Sequence, residues 1–151
     1  MNSSIAKLDE QFAALHRQLC ELTKHLSLES LYRKVPGADR SCGEEILRSA
    51  AVVERAFGGL TANLWDDPFE WTLPETLASP KKIFEYLDEV AATRRDAFEF
   101  LKNDSDLSKE IMTPTGNTQL LPFLLDTLQR ARHHQQRALQ LFQLLQSHSP
   151  T

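Results

Sequence analysis

At 151 residues, with 41% hydrophobic and 25% charged side chains, the chain has the size and balance of one globular domain, residues 1–151, able to bury its own core. Its net charge is −4 and its basic residues are scattered among acids, which excludes the basic stripe of a nucleic-acid binder and predicts no nucleic-acid partner. Apolar runs stay far short of the roughly 20 residues that span a bilayer, and the N-terminus lacks a basic segment followed by an apolar one. A cytoplasmic chain with no membrane partner is expected.

The first helix is expected from about Ser4 to Leu26, because Ile5, Leu8, Phe12, Leu15, Leu19, Leu22 and Leu26 recur at spacings of three and four. The pattern continues loosely through Leu28, Leu31 and Tyr32 and stops at Val35-Pro36-Gly37. The second helix opens on a capping box at Ser41-Cys42-Gly43-Glu44, and Ile46, Leu47, Ala50, Ala51, Val53, Phe57 and Leu60 form its apolar face. Gly58-Gly59 weakens it near its end.

Residues 61–78 form the least regular stretch. They carry Trp65, Phe69 and Trp71 with Pro68 and Pro74, a composition that suits a loop packed over a core or lining a pocket. Ser79-Pro80 then reads as an N-cap followed by proline at the first helical position, and a third helix is expected to end near Asn103. A turn at Thr113-Pro114-Thr115-Gly116-Asn117 precedes a fourth helix from about Thr118 to Gln146. No strand-like alternation competes, so the expected fold class is all-α, a four-helix bundle.

The two cysteines, Cys20 and Cys42, match no zinc or CxxC spacing and are expected as a buried thiol and a helix-start residue. Sequence signatures of serine hydrolases, phosphate-binding loops, dinucleotide folds and HExxH metalloproteases are missing. Of five histidines, His25 and His148 fall at helix ends and His16 flanks the first helix's stripe. The unusual segment is Gln129-Arg130-Ala131-Arg132-His133-His134-Gln135-Gln136-Arg137. Arg130 and His134 are four apart and border the Ala131/Ala138 stripe, so they either point inward toward a compensating anion or reach solvent from the edge of the core.

Ser41 to Arg55 resembles the second-helix motif of the DinB/YfiT-like superfamily, and Leu26-Ser27-Leu28-Glu29-Ser30-Leu31 is similar to the end of that family's first helix. His133 to Arg137 resembles its fourth-helix motif, so the likeness extends over nearly the whole chain in element order. The resemblance implies a four-helix bundle, often dimeric. Many members hold nickel or zinc through one histidine on the second helix and an HxxxH pair on the fourth. Carried onto this chain, those positions fall at Ser49, Arg130 and His134, of which only His134 is a metal ligand. The triad is therefore degenerate and no cofactor is expected; if nickel or zinc is bound after all, His134 and Glu45 are its candidate ligands.

Three functions follow as expectations. The first is a small anionic or polar ligand held in the bundle centre by Ser49, Arg130 and His134. The second is a metal-dependent hydrolase or thiol transferase with altered ligands. The third is a non-catalytic homodimeric interaction module. Glu54 and Arg55 are adjacent, point in different directions and are expected as rim charges.

Overall fold

The computed structural model describes residues 3–65 and 77–147. Phe69, Trp71, Pro68, Pro74 and His148 of the sequence reading lie outside the described residues. The rest is dominated by four long helices, α1 (Ser4–Lys24), α2 (Cys42–Ala62), α3 (Pro80–Glu99) and α4 (Leu120–Ser147). A short 3-10 helix (Asp104–Ser108) and an antiparallel hairpin of β1 (Glu110–Thr113) and β2 (Gly116–Gln119) link α3 to α4. Among the described residues, no helix is long and apolar enough to cross a membrane.

Helix starts follow from local chemistry. Ser3 accepts the Ala6 amide at the head of α1, and Ser79 accepts the Lys82 amide ahead of Pro80. At Ser41 the capping box is complete: its hydroxyl accepts the Glu44 amide while the Glu44 carboxylate reaches back to the Ser41 amide. The start of α1 has a second, distant support, because the Asp104 carboxylate accepts from the Ser4 and Ile5 amides at 3.2 and 3.3 Å. A negative charge there meets the positive end of the helix dipole.

Helix ends depart from expectation. The first helix stops at Lys24, capped by His25, rather than running to Leu26. Ser27 and Ser30 bond each other's amides and hydroxyls just beyond, and such local bonding competes with helix continuation. The following segment turns inward to bury Leu26, Leu31 and Val35. The Gly43 amide donates to the Leu31 carbonyl at 2.8 Å, and a Cβ on Gly43 would stand 2.5 Å from that oxygen, so only glycine permits this approach.

In α2 the helix runs through both Gly58 and Gly59 and ends on Asn63, whose φ of 56° makes the left-handed cap. Gly59 is needed for space, since a Cβ there would come within 2.2 Å of the Trp65 ring. Helix α3 ends at Glu99, short of Asn103, because the Asp106 carboxylate collects the Lys102 and Asn103 amides to start the 3-10 turn. The hairpin is the one strand element the sequence reading lacked. Its four-residue strands are too short and too exposed to show alternation, and Thr118 and Gln119 complete β2 instead of opening the last helix. The turn itself lies where the sequence placed it: Thr113 pairs with Gly116 around Pro114-Thr115, and Gly116 takes a φ of 124°.

The helices α1 and α2 each pack against both α3 and α4 and touch each other little. Their stripes meet in one core, where Phe12, Phe57 and Phe98 bring α1, α2 and α3 together with ring centroids 5.1 to 6.1 Å apart. Cys42 opens α2 as expected and is fully buried with its thiol toward the Ala138 carbonyl, whereas Cys20, expected to be buried, is only half-buried.

Phe57→Ala removes a ring that is 1% exposed and leaves a cavity, so it should destabilise the chain by about 3–5 kcal/mol in urea unfolding. Phe100→Ala, at a ring 75% exposed, should change stability by no more than about 0.5 kcal/mol.

Candidate functional site

The site is built on the contact between α2 and α4, the most extensive helix pair in the fold. Two α2 side chains donate into α4 carbonyls: Cys42 Sγ to Ala138 at 3.2 Å and Ser49 Oγ to Ala131 at 2.6 Å. Moving seven residues along α2 moves the partner seven residues back along α4, so the helices run antiparallel in a defined register. Ala131 and Ala138 are fully buried and lack the bulk that would hold the backbones apart.

Glu45 lies between these two anchors on α2 and faces His134 on α4. Its carboxylate is 2% exposed and accepts from His134 Nδ1 at 2.8 Å, while Arg40 reaches its other oxygen at 3.3 Å. Burial pushes the Glu45 pKa up, but the hydrogen bond and charge of His134 and those of Arg40 outweigh it, leaving the carboxyl below its usual value. With an ionised partner on Nδ1, the imidazole carries its proton there, which leaves Nε2 as the other functional nitrogen.

His134 also lines a cleft of about 600 Å³ between α2, the hairpin and the first half of α4. One wall carries Arg48, Val52 and Arg55 of α2 at spacings of four and three; the opposite wall carries Pro122, Asp126, Arg130 and His134 of α4, each four apart. Residues 113–118 of the hairpin form a third side. Trp65 packs its ring on Gly59 and edge-to-face on Phe123 at 5.9 Å, and its carbonyl accepts from Arg55 Nε at 2.7 Å. Arg130 is exposed and held by Asp126, with Nε 3.1 Å from the carboxylate. The cleft therefore gathers three guanidinium groups, one carboxylate, one oriented imidazole and an indole.

Of the residues singled out from sequence, Arg130 and His134 share this cleft, and Glu45 stands directly behind His134. Ser49 does not join them: it is fully buried and its hydroxyl proton is engaged by the Ala131 carbonyl. The three positions that the family likeness assigns to metal ligands do not fit a metal, since one is a spent hydroxyl and another a guanidinium. Sequence reading missed Arg48 as a cleft residue and treated Arg55 only as a rim charge, whereas Trp65 fell in the stretch expected to cover the core or line a pocket. The signal for the arginines was present, because Arg48, Val52 and Arg55 share a helical face. Glu54, in contrast, turns away and accepts from Tyr86 of α3.

The acid behaviour of the buried pair has a definite sign. A carboxyl held below its usual value of 4.5 contributes stability above that pH and loses it as pH falls through its lower folded value. Glu45→Gln should therefore lower the melting temperature at neutral pH and flatten its decline below pH 4.5, measured by thermal unfolding across a pH series.

No family model matches the sequence, and no curated protein shows significant similarity to it.

Proposed function

We propose that this chain is a DinB/YfiT-like four-helix bundle whose side cleft binds a small anionic molecule. The observation that carries the reading is the convergence of Arg48, Arg55 and Arg130 on a cleft of about 600 Å³, the size of a small-molecule site. Guanidinium groups suit carboxylates and phosphates because their planar donors match two acceptor oxygens at once. Trp65 and Phe123 supply an apolar surface for the rest of the ligand, and His134, oriented by Glu45, offers Nε2 to a donor on it. The order of the four long helices, the close α2–α4 contact and the place of His134 support the family assignment.

Arg130 has a carboxylate partner in the free protein, so an anion would exchange Asp126 for itself at that guanidinium. This makes Arg130 the residue whose removal is most informative. Inorganic phosphate and a set of aromatic and aliphatic carboxylates titrated into the protein by calorimetry should include a binder, and Arg130→Ala should weaken it roughly ten-fold or more. Binding that is unaffected by Arg130→Ala and Arg55→Ala, or no binding across the set, overturns the reading.

A homodimer is the second reading, favoured by a separate observation. Helix α4 exposes Leu121, Leu125, Leu139 and Leu144, each at least one-third accessible, which is more apolar surface than a helix facing only water requires. Sedimentation velocity should give a dimer that Leu125→Glu with Leu139→Glu converts to monomer; a wild-type monomer at high concentration rejects it.

A further inference from the structure

On the face opposite the cleft, α1 and α3 bring together three side chains that the proposed function does not use. His16 and Cys20 are one turn apart on α1, with Cys20 Sγ 3.5 Å from His16 Nε2. Asp88 of α3 places Oδ1 3.7 Å from the same nitrogen. The three candidate donor atoms all lie within 4.8 Å of one another. For tetrahedral zinc, bond lengths of about 2.3 Å to sulfur and 2.0–2.1 Å to nitrogen or oxygen require donor–donor edges of roughly 3.3–3.6 Å. The sulfur–nitrogen edge has that length already. The Asp88 side chain is 76% exposed and needs only a small swing to complete the triangle.

The geometry points to a zinc site at His16, Cys20 and Asp88, with solvent in the fourth position. The chemistry of the surroundings supports this ion over a hard one. Arg17, Arg94 and Arg95 lie close enough to act on His16, and a bare dication would meet their repulsion. A thiolate, a carboxylate and Zn²⁺ sum to zero charge, so the thiol proton lost on loading halves the positive charge that the dication brings to that neighbourhood. Mg²⁺ and Ca²⁺ prefer oxygen ligands and cannot use the sulfur. Arg94 is itself buried, with Asp9 as its ion-pair partner at 3.6 Å, and so does not occupy Asp88.

Loading has a simple proton balance. Burial first, and then Asp88, push the Cys20 thiol up to about 11, so it enters as S–H. Burial also holds His16 low, so the imidazole enters neutral. The S–H bond breaks, the S–Zn bond forms, and one proton passes to buffer without any change of oxidation state. The site is remote from the arginine cleft and does not depend on its reading.

The test uses tag-free full-length protein, with Zn²⁺ affinity read by competition against a chromophoric chelator and Co²⁺ as spectroscopic probe. One Zn²⁺ per chain is expected, with a sulfur-to-cobalt charge-transfer band and no competition from millimolar Mg²⁺. Cys20→Ser should abolish that band and weaken Zn²⁺ roughly 100-fold, and Asp88→Asn should weaken it about ten-fold while folding normally at its exposed position. His134→Ala should leave the affinity unchanged. Absence of the sulfur band, Zn²⁺ binding that survives Cys20→Ser, or binding lost in His134→Ala instead would each overturn the assignment.

Discussion

The approach of α2 to α4 governs what the rest of the molecule can place where. A helix carbonyl already accepts one bond from within its own helix, and its second lone pair is available only to a donor that comes very close. Ser49 and Cys42 use that second lone pair at Ala131 and Ala138, two turns apart on each helix. Alanine at both acceptor positions is what makes the distance attainable. A larger side chain at either would push α2 outward and strand a hydroxyl or thiol in the core, at a cost of about 1–3 kcal/mol for an unmet polar group. With the register set in this way, Glu45 can only face His134.

That pairing shows how a buried charge is tolerated in an otherwise apolar contact. Glu45 has almost no access to water, yet its two oxygens are answered by an imidazole from α4 and a guanidinium from the segment before α2. The arrangement serves both to compensate the carboxylate and to orient the ring at the edge of the cleft. Removing either partner would leave the carboxylate with a single hydrogen-bond donor in a low-dielectric setting.

Much of the architecture was legible in the sequence. Ser41 with Glu44, and Ser79 with Pro80, state where helices begin in chemistry that acts within four residues. The leucine stripes identify the faces that became buried. Helix ends were harder, because the signals at Ser27/Ser30 and Asp106 consist of side chains taking backbone amides, which the apolar period does not register. The hairpin left almost no trace, since exposed four-residue strands carry no alternation. For the candidate site, helical spacing set Arg130 and His134 on one face of the last helix and left their direction open, and both line the cleft. Ser49 was named through the family likeness and does not reach the cleft: its partner is a carbonyl of the opposite helix, and no pattern in α2 reports a main-chain acceptor 82 residues away.

The hairpin also bears on the behaviour of the cleft. A two-stranded ribbon is at best marginally stable on its own, and β1 and β2 present mostly exposed residues, with Ile111 as the partly buried side chain that packs on the core. Its contacts to the rest of the protein run chiefly to α4. Detaching this wall should therefore cost less free energy than unfolding the helices, and an equilibrium between assembled and opened forms of the cleft would be governed by these few contacts. Any molecule bound against residues 113–118 would draw that equilibrium toward the assembled form, and part of its binding energy would be spent on ordering its own container.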